Sequence, residues 1–248
     1  MMRLKYLLLL CFCLPFFCYS QQAGADTVAK KNSFKIAPFI IPAIFLGYGA
    51  MAGGDNFVHD LDVTTRAELQ EDHPFFSAKA DNFMQYAPAA AVYALNLSGV
   101  KGKHNLVDAT GIYAISFGLM KASTLIVKSA TNRLRPDGST YNSFPSGHTA
   151  TSFAAAEFLK QEYKDVSPWY GYAGYTVATA TGIMRLYNNR HWVSDVVAGA
   201  GFGIIATKVS YLVYPKLKRL VAGKRQQDFS LVPIYQEKTF GLSFASRF

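Results

Sequence analysis

The fold is decided by the stretch Trp192–Tyr214, which reads WVSDVVAGAGFGIIATKVSYLVY. This stretch is long and apolar enough to form a buried or membrane-spanning helix. Small residues recur along it at Gly199, Gly201 and Gly203, and such residues let helices pack closely, either in lipid or in a soluble bundle. The stretch therefore predicts one member of a tightly packed bundle of helices.

Three more apolar stretches of similar length precede it: Phe83–Gly99, Leu106–Val127 and Trp169–Met184. A shorter one, His148–Leu159, follows a serine that can cap a helix. Strand-like alternation is nearly absent until the tail, where residues 239–244 alternate as a terminal strand does. We therefore predict an all-α fold, a helical bundle embedded in a membrane.

Composition limits this prediction. The chain has 248 residues, of which 50% are hydrophobic and only 17% are charged, so it is not disordered and is large enough for one compact unit. The mean hydropathy of +0.10 is modest for a protein with many spans, which keeps a soluble bundle open as an alternative. All three cysteines fall in the first twenty residues, which excludes zinc-ribbon and thiol-nucleophile chemistry downstream.

The N-terminal part contains two apolar segments of different character. Residues 1–20 have the layout of a secretory signal peptide, and an uncleaved anchor would have the same layout. The segment Ile36–Gly53 carries Pro38 and Pro42 near its start, so its continuity as a helix is doubtful. We expect this second segment to lie along the surface or to pack on the bundle.

The net charge of +9 suits a protein that binds nucleic acid or one that faces anionic lipid, and the distribution of the charge favours lipid. Lysine and arginine collect in cytoplasmic loops near a membrane. Two groups fit that rule: Lys101 and Lys103, and then Lys216, Lys218, Arg219, Lys224 and Arg225. The loop 55–81 is acidic and is expected outside. Counting crossings then places segments 128–148 and 185–191 together on the outer face.

The first polar cluster is residues 128–136, KSATNRLRP. Lys128 and Arg135 are seven residues apart and would share one face of a helix. Two fixed cations make a cradle for an anion. A basic helix end that meets lipid headgroups is the alternative explanation.

Two further clusters add histidines. In residues 144–149, FPSGHT, a helix that begins at Ser146 and Gly147 exposes amides that favour a phosphate oxygen, and His148 points at the same anion. In residues 185–195, RLYNNRHWVSD, His191 and Asp195 are four apart at the start of an apolar helix. The carboxylate can hold one imidazole nitrogen and leave the other free as a nucleophile, unless Asp195 only complements the helix dipole.

The order Lys-x6-Arg-Pro, Pro-Ser-Gly-His, Arg-x5-His-x3-Asp resembles the three-part signature of the type 2 phosphatidic acid phosphatase superfamily, over about residues 121–214. The resemblance implies that His191 attacks phosphorus, that Asp195 orients it, and that His148 acts as general acid and later as base. It implies phosphate-binding roles for Lys128, Arg135, Arg185, Ser146 and Gly147, and it implies neither metal nor cofactor. Met184 departs from the pattern, because the family often has Ser before the third-motif Arg.

The resemblance thus implies a phosphatase of the bacterial cytoplasmic membrane, with its active site at the outer, periplasmic ends of the helices. Its partners would be the membrane and an anionic phospholipid or lipid pyrophosphate, not nucleic acid. Lipid A 4′-phosphate and undecaprenyl pyrophosphate are favoured over phosphatidylglycerol phosphate and phosphatidic acid, because an export signal and an outward site suit envelope lipids. Three alternatives remain: a soluble periplasmic nonspecific acid phosphatase, a vanadate-dependent haloperoxidase and a noncatalytic lipid-binding protein.

These features divide the chain into four expected parts: 1–20, signal peptide or anchor; 21–100, N-terminal helices and acidic loop; 101–225, catalytic core; 226–248, C-terminal tail.

Overall fold

The computed structural model describes residues 36–221, 229–236 and 239–246, so the proposed signal peptide lies outside the described residues. The described part contains eight α-helices, with a short 3₁₀ turn at Met51–Gly53 after the first of them. Their bounds are α1 Ala37–Ala50, α2 Phe57–Asp72, α3 Asp81–Met84, α4 Ala87–Leu97, α5 Leu106–Thr131, α6 Gly147–Tyr163, α7 Trp169–Tyr187 and α8 Val193–Val221. The predicted helical bundle is confirmed.

Helix α6 lies at the centre of the bundle and packs against α4, α5, α7 and α8. Its middle carries Ala154, Ala155 and Ala156, which are completely buried. Alanine favours a helix and leaves little side-chain bulk between neighbouring helices. Beyond these alanines, Phe158 packs with residues of α4 and α5, including Val92 and Ala109, and so extends the apolar core.

The glycines of α8 bring this helix against its neighbours, as the sequence predicts. A Cβ atom at Gly199 would lie 2.6 Å from the carbonyl oxygen of Ser146, and one at Gly203 would overlap the carbonyl oxygen of Ala150. On another face, a Cβ at Gly201 would lie 2.8 Å from the carbonyl oxygen of Pro42. Contacts this short leave no room for a side chain, so α8 touches the backbones of both α6 and α1.

The N-terminal region differs from the prediction in two places. The doubt about Ile36–Gly53 was misplaced, because α1 continues through Pro42 and packs on α8. The expected acidic loop contains α2, whose N-terminus is capped by Asn56: its side chain accepts a hydrogen bond from the amide of Val58 at 2.9 Å. The buried face of α2 includes Asp62 and Thr65, and these polar residues hide the helical periodicity of the sequence.

Two helices, α5 and the part of α8 that ends at Leu220, are long and apolar enough to cross a membrane. Residues 37–53 and 57–72 pass the same test as a pair, but they are bent by 82° at their break. The expected helix Phe83–Gly99 is instead divided into α3 and the short α4. By length and composition the described residues thus provide two spans, or three if the bent pair is one of them.

The tail forms a β-hairpin rather than the single strand that was expected. Strand β1, Phe229–Gln236, pairs antiparallel with β2, Thr239–Ser246. The register places Gln236 opposite Thr239 and Phe229 opposite Ser246. The alternating segment at residues 239–244 is therefore a strand as expected, but its partner β1 was not predicted.

Candidate functional site

The candidate site is built where four helix ends meet. The C-terminal ends of α5 and α7 and the N-terminal ends of α6 and α8 lie at this end of the bundle, and hydrogen bonds join them. The amide of Ser146, before α6, donates to the carbonyl of Asp195 in α8 at 2.9 Å. The ammonium of Lys128, in the last turn of α5, donates to the carbonyls of Asn142 at 2.6 Å and Ser143 at 3.3 Å. All three predicted clusters therefore meet at one site.

His191 and Asp195 form its most buried pair. Nδ1 of His191 lies 3.5 Å from Oδ2 of Asp195, at the outer limit of a hydrogen bond, and both residues are buried. The helix begins at Val193, so His191 precedes it instead of lying on its first turn as expected. Oδ2 of Asp195 also accepts hydrogen bonds from the Ser143 hydroxyl at 2.5 Å and the Trp192 amide at 2.9 Å. These donors fix the carboxylate on the Nδ1 side of the imidazole and leave Nε2 as the nitrogen for chemistry.

The cations of the site come from separate elements. The expectation that Lys128 and Arg135 share a helix face was wrong, because Asn132 adopts the left-handed conformation with φ 44° and ends α5. Arg135 follows in a turn, where its amide donates to the carbonyl of Thr140 at 3.0 Å. Arg185 lies in the last turn of α7 and is buried. The three cations still form one electrostatic cluster. Besides burial, the charges of Arg185 and Lys128 lower the pKa of His191, and the charge of Arg185 lowers the pKa of Arg135.

Three buried nitrogens at this site have no hydrogen-bond partner among the described residues: Nε of Arg135, Nε of Arg185 and Nδ1 of His191. An unsatisfied buried donor costs about 1–3 kcal/mol, so such groups are rare away from functional sites. Two of the three are guanidinium donors, which bind anions with several oxygens. The site can therefore hold a phosphate group, and within the described residues no three His, Cys, Asp or Glu side chains are grouped so as to hold a metal ion.

The start of α6 adds backbone donors. Ser146 is its N-cap, and its side chain accepts from the amide of Thr149 at 3.5 Å. The amides of Gly147 and His148 belong to the first turn, where a helix offers donors without partners of its own and the positive end of its dipole. The structure thus begins α6 at Ser146 and Gly147, as the sequence predicts, and joins Ser146 to Asp195.

Both candidate histidines are neutral at pH 7. Burial, aided by Arg185 and Lys128, lowers the pKa of His191 to about 4 although Asp195 acts in the opposite direction. Burial and the charge of Arg185 likewise lower the pKa of His148 to about 4, against the effect of Asp81. A neutral His191 has the lone pair that a nucleophile needs. His148 gains affinity for a proton when an anion enters beside it, because the added negative charge offsets the cations that lower its pKa.

Two residues of α3 contact the site and were not predicted. The buried carboxylate of Asp81 binds Nη1 of Arg185 at 2.5 Å, and the side-chain oxygen of Asn82 lies 2.9 Å from Nε2 of His148. The segment that precedes α3 is attached to the same region, because Ala78 exchanges two hydrogen bonds with the side chain of Asn188, at 2.8 and 2.9 Å. Their distance in sequence from the motifs explains why neither Asp81 nor Asn82 was recognised.

A second group that was missed lies behind Asp195. Oδ1 of Asp195 accepts from Arg133 at 2.7 Å, and Arg133 also binds Asp62 of α2 at 2.7 Å. Arg133 lies within the first motif, so its position in the sequence was visible. Nothing in the sequence revealed that Asp62 reaches it from a helix that was expected to be a loop.

Residues 109–219 match the model of the PAP2 superfamily, and this range includes every catalytic and phosphate-binding residue predicted from the sequence. Over this range the chain is similar to the PAP2 superfamily. A curated relative, the lipid A 1-phosphatase of Porphyromonas gingivalis, is 44% identical over 144 residues. The aligned part covers 56% of this chain and 31% of the relative, so the chain spans about a third of that protein's length.

One solved structure shares the helical fold, and a second is less similar. The transmembrane PAP2 type phosphatidylglycerolphosphate phosphatase of Bacillus subtilis has a TM-score of 0.50 at 19% identity, covering 75% of this chain and 99% of that one. LpxE of Aquifex aeolicus has a TM-score of 0.45 at 20% identity, covering 59% of this chain and 93% of that one. The first likeness extends the shared helical architecture to most of the chain.

Proposed function

We propose that the protein is a membrane lipid phosphatase that removes phosphate from a lipid through a phosphohistidine intermediate on His191. The observation that carries the proposal is the meeting of the buried His191–Asp195 pair with Arg135 and Arg185, whose Nε groups have no hydrogen-bond partner among the described residues. The PAP2 match and the name of the curated relative support a lipid phosphate as the substrate.

In the first chemical step, Nε2 of His191 attacks phosphorus, and the bond from phosphorus to the lipid oxygen breaks. The leaving oxygen takes a proton from His148, which acquires that proton once the phosphate dianion is bound. Asp195 holds the imidazole in orientation and stabilises its positive charge as the new N–P bond forms. Lys128, Arg135 and Arg185, with the amides at the start of α6, bind the non-bridging oxygens and stabilise their charge in the transition state.

In the second step, a water molecule attacks the phosphohistidine and gives a proton to His148. The N–P bond breaks, inorganic phosphate leaves, and His191 is neutral again. With a lipid pyrophosphate the same steps release a lipid monophosphate first, because the terminal phosphoryl group is the one transferred.

For the substrate we propose an envelope lipid, either lipid A or undecaprenyl pyrophosphate. The sequence alone favours the 4′-phosphate of lipid A or undecaprenyl pyrophosphate, whereas the relative's name points to the 1-phosphate of lipid A, so both positions of lipid A belong in the first assay. We place the reaction at the periplasmic face. In support, the ion pair of Lys218 with Asp108 at 2.7 Å joins the ends of α8 and α5 that lie away from the site. Basic residues collect at those ends, as they do on the cytoplasmic side of a membrane, so the site would face the opposite side.

The test is phosphate release by detergent-purified protein in the presence of a chelator. The panel contains lipid A phosphorylated at position 1 or 4′, undecaprenyl pyrophosphate, phosphatidylglycerol phosphate, phosphatidic acid and a soluble aryl phosphate. The proposal is supported if the protein releases phosphate from a lipid and the His191→Ala variant does not. The control is His59→Ala, which replaces an exposed histidine of α2 and should keep the activity. Release that His191→Ala leaves unchanged contradicts the phosphohistidine mechanism. Activity on the aryl phosphate alone, with extraction by salt, favours the soluble phosphatase instead.

A further inference from the structure

A chain of charged groups runs from α2 to Asp195. Nη1 of Arg133 donates to Oδ1 of Asp195 and to the hydroxyl of Ser194, each at 2.7 Å, and Nη2 donates to Oδ2 of Asp62 at 2.7 Å. The side chains of Asp62 and Asp195 are 1% and 0% exposed, and that of Arg133 is 20% exposed. These are therefore shielded ion pairs, whose mutual influence water screens only weakly.

Asp62 also holds the start of α8 directly. Its Oδ1 accepts from the amide of Ser194 at 2.9 Å, and its Oδ2 accepts from the Ser194 hydroxyl at 2.5 Å. Ser194 is the residue immediately before Asp195. Helix α2 thus fixes the backbone at the start of α8 and, through Arg133, the carboxylate that faces His191.

The arrangement also surrounds Asp195 with charged groups on the side away from His191. Oδ1 of Asp195 is bound to a full positive charge on Arg133, and that charge is shared with Asp62 on the other side of the guanidinium. Trp192 lies against the same guanidinium, with the Arg133 carbon Cζ 5.4 Å from its ring centroid. Removing Asp62 would leave the Arg133 charge to act on Asp195 alone, and removing Arg133 would leave two carboxylates uncompensated.

From this geometry we propose that Asp62 and Arg133 are positioning residues of the reaction, which set the orientation and the effective charge of Asp195 toward His191. The inference rests on the proposed function and adds to it a part of the machinery that lies outside the three motifs. Within the described residues, neither Asp62 nor Arg133 forms a hydrogen bond or ion pair with Lys128, Arg135 or Arg185, so each acts through Asp195.

The test compares kcat, KM and the pH dependence of kcat/KM in Asp62→Asn and Arg133→Gln. We expect kcat to fall about 10- to 100-fold in each variant, with KM nearly unchanged. Losses of this size are found when the hydrogen-bond partners that orient metal ligands are replaced. Once the titration of the substrate phosphate has been subtracted, the acid limb of kcat/KM includes the protonation of His191. It should move to lower pH in Asp62→Asn, because a negative charge is lost, and to higher pH in Arg133→Gln, because a positive charge is lost.

Opposite shifts distinguish positioning from a purely structural role. A variant that is only partly folded has less active enzyme, but the midpoint of its pH limb does not depend on the enzyme concentration, so poor folding does not conceal the result. Arg133→Lys retains the charge without the forked geometry, and it should keep the wild-type limb while losing part of kcat.

Two matched controls remove similar charges nearby. Arg66→Gln removes a cation whose Cζ lies 5.9 Å from the centroid of the Trp192 ring, and Asp60→Asn removes an exposed carboxylate of α2. Both should retain wild-type kcat and pH dependence. Wild-type kinetics in Asp62→Asn and Arg133→Gln, or limbs that move in the same direction, overturn the inference while His191-dependent release stands. Absence of His191-dependent release in the wild type overturns the proposed function, and the inference with it.

Discussion

Substitution of Gly199 by alanine tests the packing that holds the second and third motifs together. The new methyl group would lie 2.6 Å from the carbonyl oxygen of Ser146 and 3.2 Å from Cβ of Thr149. A side-chain carbon needs roughly 3.0 to 3.4 Å, so the start of α6 must move from α8 by about 0.4 to 0.8 Å. That movement stretches the 2.9 Å hydrogen bond from the Ser146 amide to Asp195.

Overpacking of this kind costs about 1–3 kcal/mol of stability. A displacement approaching 1 Å at a catalytic site costs up to about 100-fold in rate. We therefore expect Gly199→Ala to lower both the melting temperature in detergent and kcat per folded molecule. Gly118→Ala is the matched control, because a methyl group at this exposed position of α5 meets no atom within 4 Å. A Gly199→Ala protein that equals the wild type in melting temperature and kcat would refute the reasoning.

Three other outcomes follow from the site. Asp81 and a bound phosphate would compete for the guanidinium of Arg185. Asp81→Asn should therefore tighten inhibition by inorganic phosphate roughly fivefold, about 1 kcal/mol, and unchanged or weaker inhibition contradicts this competition. His148→Ala should slow lipid hydrolysis by about 10²–10⁴-fold but slow the first-turnover release of an acidic aryl leaving group much less, since that group leaves without a proton. Because the pKa of His191 is about 4, kcat/KM corrected for the titration of the substrate phosphate should persist from neutral pH into mildly acidic buffer and fall as the pH drops through that value. A corrected fall near the ordinary histidine pKa contradicts a buried neutral nucleophile.

Sequence periodicity was sufficient for the core helices and failed where the buried face is polar. The apolar stretch Leu106–Val127 corresponds to α5, which continues one turn further to Thr131 and carries Lys128 in that turn. Helix α2 was missed because Asp62 and Thr65 occupy its buried face, where the pattern requires apolar residues. The burial of the Asp62 charge is compensated by Arg133 and Ser194, distant in sequence, which bind it.

The spacing of the motif residues indicated which residues belong to the site but not how each is held. His191 and Asp195 contact each other as their spacing predicts, although only Asp195 lies on the helix. Lys128 and Arg135 converge for a different reason from the one expected, since the left-handed Asn132 ends the helix between them. Contacts from α3, such as Asp81 with Arg185 and Asn82 with His148, join residues 104 and 66 positions apart, and no local pattern encodes them.

The most direct test of the account is to trap the covalent intermediate. The His148→Ala protein is mixed with an aryl phosphate, whose cleavage needs no general acid, and the reaction is quenched in base, where a phosphohistidine is stable. Peptide mass spectrometry then locates the phosphate. We predict that it accumulates on His191, because the water that should release it lacks its base, and that it is absent when His191 is also replaced by alanine. Turnover with no phosphorylated residue, or phosphate on any other side chain, would contradict the phosphohistidine mechanism.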